Sequence, residues 1–382
     1  METQTEPPDR PRPPVQPGTL RVGQIAGIDI TIRASWLFIA VLISILIQPR
    51  IDAVAPGLGA FSYVAGLAFA VLLYLSVLLH ELSHALSAKA FGLPVRSVTL
   101  HFLGGVTEID GDPQTPTREF IISVVGPLTS LAVGGVALLM TQVAPDGLLL
   151  FVVQALAGAN IVVGVINLVP GLPLDGGRVL RAVVWGISGR PQLGTLVAGW
   201  AGRVVALLAL ALPVAVEAYT DQPPALVDYL MAMVISLFLW TGASQALIST
   251  KIRSKLPALN ARELARRAIA VPHDLPLGEG IRRAQAEQAG ALVVVATAGD
   301  PIGVVNEAAV LSTPENRRPW VTVGSVARRV EPGLLLDVDL TGEQLVQAMR
   351  ATPASEYILV DGAGEVFGVL TTKDVDNAFA AA

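Results

Sequence analysis

The chain has 382 residues, of which 52% are hydrophobic and only 15% are charged. Soluble domains carry about 25% charged residues, so this composition predicts an integral membrane protein with a smaller soluble part. The net charge of −5 comes without a basic stripe, which argues against nucleic acid as a partner. There are no cysteines. Disulfides are therefore excluded, and any bound metal must be held by histidines and carboxylates.

The first elements in chain order are a tail, a hairpin and a series of apolar segments. Residues 1–18 are proline-rich and polar, and we expect them to be disordered. The alternating runs of TLRVGQIAGIDITIRAS predict a small hairpin that leads into the membrane. Six apolar segments follow, each of them long enough to cross the hydrocarbon core, which takes about 20 residues with a range of roughly 17 to 25. They lie near residues 34–50, 62–90, 119–143, 147–169, 193–217 and 225–250.

The basic residues predict the orientation of these six spans. An even number of spans places both termini on one side. If that side is the inside, the inner connections contain the basic residues Lys89, Arg96, Arg118, Arg178, Arg181, Arg190, Lys251, Arg253 and Lys255. The outer connections contain Arg50 and are otherwise acidic. The positive-inside rule therefore predicts a multi-pass protein of the cell membrane with both termini in the cytoplasm.

The composition changes at about residue 255 to that of a soluble α/β domain. Two units can be recognised, each reading as strand, helix, apolar strand, glycine-containing turn, strand and helix. The repeat resembles the tandem pair of CBS domains called a Bateman module. The predicted fold class is thus a polytopic α-helical membrane protein followed by a cytosolic tandem CBS module. We assign residues 19–254 to the membrane domain, 255–320 to the first repeat and 321–382 to the second.

An unusual group of polar residues lies in the second apolar segment, within LLHELSHALS at 78–87. His80 and His84 are four residues apart and project from one face of a helix. Together with Glu81 they form the H-E-x-x-H pattern, in which two imidazoles bind Zn²⁺ and the glutamate is a general base. Ionisable residues inside a membrane span indicate a functional site. The alternatives are histidines that hydrogen-bond between helices, or a motif that is merely interfacial.

A catalytic zinc site needs a third protein ligand and an open fourth position. His101 and His273 lie in a connection and in the soluble part, and we interpret them as ordinary surface histidines. Asp175 is the acidic residue that stands out, within NLVPGLPLDGGRVLRA at 167–182. The prolines and glycines there must end or break the fourth span. Irregular backbone at membrane depth needs a covering cavity, which a zinc site would provide. The alternative is a helix-ending loop with a surface aspartate.

The two motifs together, HELSHA at 80–85 and NLVPGLPLDGGRVLRA at 167–182, resemble the site-2 protease family of intramembrane zinc metalloproteases. A prokaryotic subgroup of that family carries tandem CBS domains after the membrane part. The resemblance implies that His80, His84 and Asp175 bind one Zn²⁺ and that Glu81 activates the water. It also implies that Asn167 is a catalytic polar residue near the scissile carbonyl.

The same resemblance implies a binding mode and a class of substrate. Gly104 and Gly105 match an extended segment that could pair with an unwound substrate by strand addition, with a plain tight turn as the alternative. Gly126 and Pro127 match a helix-packing motif, for which a structural role suffices. The expected partners are the lipid bilayer and a transmembrane protein substrate, typically a membrane-tethered regulator such as an anti-sigma factor.

The soluble tail leaves more than one interpretation open. CBS pairs often bind adenine nucleotides, and the resemblance implies contacts to ribose and phosphate from Thr371 and Asp374. The equivalent positions of the first repeat are Asn306 and Ala309, so one of the two nucleotide sites is degraded. The alternative is a docking module, or a dimerisation module that makes the chain a homodimer.

Two alternative functions remain for the whole chain. The first is a metal-ion transporter or channel with a regulatory tail. Such proteins spread their polar ligands over several spans and often contain repeats within the membrane, whereas here the ionisable residues converge on two motifs. The second is an inactive scaffold, which is disfavoured because every expected ligand is present.

Overall fold

The structure is a computed structural model that describes residues 18–102, 104–297, 299–305 and 307–381. Two compact units divide between Ile248 and Ser249. The predicted disordered tail lies outside the described residues except for Gly18, and Asn306 also lies outside them. The domain boundaries assigned above stay predictions.

Six helices within the described residues are long and apolar enough to cross a membrane, which agrees with the six predicted spans. They are α1 (Ser35–Val54), α2 (Phe61–Ala90), α3 (Pro116–Met140), α4 (Leu148–Asn167), α6 (Pro191–Thr220) and α7 (Leu226–Lys255). A shorter helix, α5 (Asp175–Ser188), lies between α4 and α6 in the chain. Large apolar side chains such as Phe38, Leu139 and Leu208 remain exposed on these helices, as lipid-facing surfaces require.

The membrane unit also contains a four-stranded sheet. Its strands, in spatial order, are β1 (Thr19–Ile25), β2 (Ile28–Arg33), β3 (Val95–His101) and β4 (Gly104–Ile109). β1 and β2 form the predicted hairpin, β2 and β3 are parallel, and β3 and β4 are antiparallel. One face packs against α2 through a buried cluster of Ile28, Ile30, Leu82, Ala85 and Val98. β4 is therefore an edge strand held beside α2.

The fourth span ends where its prolines and glycines predict. α4 stops at Asn167, the chain turns through residues 168–174, and α5 begins at Asp175. The backbone N–H of Leu172 donates to the carbonyl of Ala198 on α6 at 3.0 Å. α5 packs against α3 and α6. The linker and its neighbours thus fix the start of α5.

The second unit contains a seven-stranded sheet built from two repeats. The first repeat comprises β5 (Arg266–Pro272), α9 (Leu277–Ala286), β6 (Ala291–Val295), β7 (Pro301–Val305) and α10 (Glu307–Ser312), preceded by the short helix α8 (Ala261–Leu264) and followed by β8 (Ala327–Arg329). The second comprises β9 (Leu335–Asp337), α11 (Gly342–Ala351), β10 (Glu356–Val360), β11 (Val366–Thr371) and α12 (Thr372–Ala381).

The two repeats have the same strand pairing. In each, the first two strands are parallel and the last two form an antiparallel hairpin. The repeats join where β11 pairs with β5, and the sheet order is β8-β7-β6-β5-β11-β10-β9. The internal repeat read from the sequence is therefore confirmed, and so is the predicted sequence of six membrane helices followed by an α/β unit.

Candidate metal centre

Three side chains from two helices converge in the membrane unit. His80 and His84 lie one turn apart on α2, and Asp175 is the first residue of α5. Their ligand atoms all lie within 4.8 Å of one another, and among the described residues this is the one group of its kind. Each histidine exposes only 5% of its surface. The structure therefore brings together the three residues that were predicted from the sequence as metal ligands.

The other ring nitrogen of each histidine contacts α3. His84 Nδ1 lies 2.5 Å from the carbonyl oxygen of Ile122. Because a carbonyl only accepts, Nδ1 carries the proton and Nε2 of the neutral ring has a free lone pair. His80 Nδ1 lies 2.9 Å from the Ser130 hydroxyl. These contacts orient both Nε2 atoms toward Asp175, as partners of metal-binding histidines commonly do.

The distances among the three ligand atoms fit a tetrahedral divalent ion. Asp175 Oδ2 lies 3.1 Å from His80 Nε2 and 3.3 Å from His84 Nε2, and the two Nε2 atoms are 3.2 Å apart. Ligands of tetrahedral Zn²⁺, with bonds of about 2.0–2.1 Å, are separated by about 3.3 Å. Two imidazoles and one carboxylate are also a known catalytic donor set. The residues present thus fit zinc.

Gly126 on α3 lies directly against both histidines of the candidate site. A Cβ at this position would lie 2.1 Å from His84 Nε2 and 2.8 Å from His80 Nε2. The first of these is the length of a metal–ligand bond and far too short for two non-bonded atoms. Any side chain here would force the imidazole of His84 to move from its position. Gly126 therefore does more than the helix packing that the sequence suggested.

Glu81 lies beside the three ligands without belonging to their group. Its Oε2 accepts a hydrogen bond from the Thr107 hydroxyl on β4 at 2.7 Å. The same hydroxyl lies 3.2 Å from the Glu81 carbonyl oxygen. A half-buried carboxylate next to the donor set, with its orientation fixed by a hydrogen bond, is suited to move a proton.

Gly104 and Gly105 begin β4 and pair with His101 and Leu100 of β3. A Cβ at Gly105 would lie 2.3 Å from Glu81 Cγ, so this strand passes α2 at a distance that only glycine allows. The segment is extended, as the sequence predicted. Its position brings an edge strand into contact with Glu81.

Asn167 is the last residue of α4 and is half-buried. Within the described residues, its amide makes no hydrogen bond to the three ligands or to Glu81. His101, interpreted as an ordinary surface histidine, is the last residue of β3. The structure therefore unites four of the predicted site residues and leaves Asn167 at the end of a neighbouring helix.

A buried ion-pair cluster near the site was not predicted. Glu119, in the first turn of α3, is fully buried. Its Oε1 accepts from Arg178 Nε at 3.2 Å and from Arg181 Nη1 at 3.1 Å. In the sequence these arginines indicated only the positive charge of an inner connection. Their three-residue spacing after Asp175 was the available signal that all three residues lie along one side of α5.

The predicted nucleotide positions lie in the second unit, where β11 meets α12. The Thr371 hydroxyl donates to Asp374 Oδ2 at 2.6 Å, and Arg266 Nε of β5 donates to the same oxygen at 2.8 Å. Burial raises the pKa of Asp374, but the hydrogen bonds from Arg266 and Thr371 outweigh it and lower the pKa. A cavity at the junction is lined by both repeats, among others by Arg266, Leu292, Glu356 and Thr371. Ala309 lies in α10 of the first repeat.

Comparison with known proteins gives matches for both units. Residues 68–147 and 136–212 match the sequence profile of Peptidase family M50. The putative zinc metalloprotease Rip3 of Mycobacterium tuberculosis is 31% identical over 366 residues, which are 93% of this chain and 91% of the relative. The solved site-2 protease from Methanocaldococcus jannaschii is 28% identical and covers 60% of this chain and 95% of its own, with a TM-score of 0.41. The CBS domain of a bacterial CNNM/CorC family Mg²⁺ transporter is 17% identical and covers 39% of this chain and 94% of its own, with a TM-score of 0.28.

Proposed function

Because this chain belongs to peptidase family M50, we propose that it is an intramembrane zinc protease that hydrolyses peptide bonds in or near the transmembrane segments of other proteins. The observation that carries the proposal is the convergence of His80, His84 and Asp175 within a unit of six membrane-length helices. Charged and polar ligands gathered inside such a unit indicate a functional centre.

In this proposal His80, His84 and Asp175 hold one Zn²⁺ per chain. When bound, the ion would polarise the scissile carbonyl and lower the pKa of a water molecule toward about 7. The protein residues orient the ligands. Ile122 and Ser130 fix the two imidazoles from α3, and Gly126 keeps the space in front of both Nε2 atoms clear of side-chain atoms.

Glu81 is the proton carrier in the proposed reaction. It accepts a proton as the water oxygen bonds to the scissile carbonyl carbon, and it returns a proton to the amine nitrogen as the C–N bond breaks. The hydrogen bond from Thr107 holds the carboxylate in one orientation during both transfers. The Asn167 amide would donate to the carbonyl oxygen as negative charge develops there.

The substrate must present an exposed peptide bond. A transmembrane helix satisfies its own backbone hydrogen bonds, so it has to unwind locally before hydrolysis. We propose that the unwound strand adds to β4 at Gly104 and Gly105, because an edge strand offers unpaired backbone groups. The close approach of Gly105 to Glu81 would bring that strand toward the proton carrier.

We further propose that both termini are cytoplasmic, on the basis of the basic residues in the inner connections. α2 then runs from outside to inside, and His80 lies ten residues before its end at Ala90. At 1.5 Å per residue this places His80 about 15 Å from the inner end of the helix. Cleavage would release a cytoplasmic fragment. The expected substrate is a membrane-tethered regulator, of which an anti-sigma factor is one example.

For the second unit we propose regulation by an adenine nucleotide bound near Thr371 and Asp374. Support comes from the cavity shared by the two repeats. The Asp374 carboxylate pairs with Arg266, so a ribose would have to replace that pair. Calorimetric titration of the full chain with ATP, ADP and AMP tests the idea, with Asp374→Asn as the variant that should lose binding. If no nucleotide gives a heat of binding, nucleotide regulation is refuted and a dimerisation module is favoured. Analytical ultracentrifugation would then show the full chain to be a dimer.

The protease proposal is tested with a transmembrane reporter protein in lipid vesicles. We expect the wild-type chain to cut the reporter within or beside its membrane span, as mapped by mass spectrometry. Glu81→Gln should abolish cleavage while bound zinc is retained. Glu343→Gln, the same change at an exposed position of α11, is the matched control and should cut normally. Metal-dependent cleavage by Glu81→Gln would refute the role of Glu81.

A further inference from the structure

One buried carboxylate of the membrane unit has no part in the proposed chemistry. Glu119 has no exposed surface, and both of its ion pairs are made through a single oxygen to Arg178 and Arg181. The second oxygen, Oε2, has no partner among the described residues, and neither does Arg181 Nε. A buried cluster with unsatisfied atoms is a poor source of stability, because well-packed apolar residues are often at least as stable.

The two arginines belong to the helix that supplies the third ligand. α5 begins at Asp175, and Arg178 and Arg181 follow at intervals of three residues. Residues spaced in this way lie on adjacent turns along one side of a helix. Two ion pairs on successive turns fix both the position of α5 and its rotation about its axis. A rotation by one residue, about 100°, would move the Asp175 carboxylate away from the histidines.

The helix that carries Glu119 also contacts the other two ligands. Ile122 and Ser130 of α3 are the partners of His84 Nδ1 and His80 Nδ1. One helix therefore reaches the histidines of α2 directly and the aspartate of α5 through two arginines. Among the described residues, these are the ion pairs seen between α5 and α3, the helix that orients both histidines.

We propose that Glu119, Arg178 and Arg181 form a positioning cluster that holds Asp175 in register with His80 and His84. The proposal rests on the metal centre described above and assigns these residues a role outside the ligand set. Residues that hydrogen-bond directly to a metal ligand commonly change metal affinity by about 10- to 100-fold when they are removed, and we expect an effect at the lower end of that range from a cluster that acts through the position of α5. None of the three cluster residues belongs to the group of possible metal ligands.

The test measures zinc affinity of the full chain in detergent by competition with a chelator, together with the visible absorption of the Co²⁺ form. Glu119→Gln should weaken zinc binding at least about tenfold and change the Co²⁺ spectrum, which reports ligand geometry. Asp110→Asn is the control. It removes the carboxylate of the exposed pair with Arg96 at 2.6 Å, and it should leave both measurements unchanged.

A folded Glu119→Gln chain with wild-type zinc affinity and an unchanged Co²⁺ spectrum would overturn the proposal. If Glu119→Gln does not fold, Arg178→Gln and Arg181→Gln decide, because each leaves one ion pair to Glu119 in place. Weakened zinc binding in either supports positioning, and wild-type binding in both overturns it. If the wild type and Asp110→Asn bind no zinc, the metal centre and the positioning cluster both fail. If the wild type binds zinc, a difference in zinc affinity between the wild type and Glu119→Gln tests the positioning cluster and not the metal centre.

Discussion

The Thr107 hydroxyl donates a 2.7 Å hydrogen bond to the Glu81 carboxylate and joins an edge strand to the helix of the metal centre. Thr107 is the fourth residue of β4, and Glu81 lies in the sequence between His80 and His84, the two predicted metal ligands on α2. The strand proposed to receive substrate therefore contacts the residue proposed to move the proton. A displacement of β4 would change the orientation of Glu81.

Replacing Thr107 by Val removes this hydrogen bond with little change in volume. A hydrogen bond to a charged group contributes about 1.5–3 kcal/mol, so we expect the kcat for reporter cleavage to fall at least about tenfold. KM and zinc content should change little, because the substitution alters neither the proposed substrate-binding backbone at Gly104 and Gly105 nor a proposed zinc ligand. Thr107→Ser keeps the hydroxyl and should retain most of the activity. Equal activity of the Val and Ser variants would show that Thr107 does not orient Glu81.

Replacing Gly126 by Ala should prevent metal binding. The added Cβ would lie 2.1 Å from His84 Nε2, so the imidazole must move from its position. Zinc content, measured by mass spectrometry of the purified chain, should fall far below one ion per chain. Gly135→Ala is a control on the same helix, where a Cβ meets no atom within 4 Å. A Gly126→Ala chain with full zinc content would contradict the geometry described above.

Two buried serines of α3 allow the effect of a hydrogen bond to His80 to be distinguished from the effect of removing any buried hydroxyl. Ser130 hydrogen-bonds to His80 Nδ1, whereas the buried Ser123 hydroxyl has no partner among the described residues. We expect Ser130→Ala to weaken zinc binding about tenfold and Ser123→Ala to leave it unchanged. The measurement is chelator competition in detergent. Equal zinc affinities in the two variants would exclude orientation of His80 by Ser130.

The Arg266–Asp374 pair predicts a dependence of local stability on pH. Burial opposes ionisation of Asp374, but hydrogen bonds from Arg266 and Thr371 lower its pKa. A carboxyl group whose pKa is lower in the folded state than in the unfolded state stabilises the folded protein at pH values above the unfolded pKa of about 3.9. This stabilisation is lost as the pH falls through the pKa of the folded state. Hydrogen exchange of α12 should therefore be faster in Asp374→Asn than in wild type at neutral pH. The difference should shrink as the pH falls below the unfolded value of about 3.9 and the carboxylate becomes protonated. An equal difference at all pH values would contradict the assignment.

The residues of the candidate metal centre could be predicted because their signals are local. His80 and His84 have helical spacing within an apolar run, and Asp175 is an isolated acidic residue where prolines and glycines break a span. The hairpin β1–β2 and the two soluble repeats also follow from short-range patterns. Each of these features depends on neighbouring residues, and the structure reproduces them.

The supporting contacts could not be predicted because they join distant segments. Thr107 lies 26 residues from Glu81, and Ser130 lies 50 residues from His80. A hydroxyl has no periodic signal that identifies its partner. Gly126 matched a packing motif, but its approach to two histidines depends on how α3 crosses α2. Arg178 and Arg181 carried a charge signal that was interpreted only as orientation, because the burial of Glu119 requires three-dimensional packing.

The zinc content of Asp175→Ala tests the central claim most directly. The two histidines belong to one helix, whereas Asp175 comes from another helix and should be a ligand only if the centre forms as described. We expect about one zinc ion per wild-type chain and in the control Asp146→Ala, which alters an exposed aspartate between α3 and α4. Asp175→Ala should lose most of its zinc and its cleavage of the reporter. Wild-type zinc affinity in Asp175→Ala would contradict a metal centre built from α2 and α5.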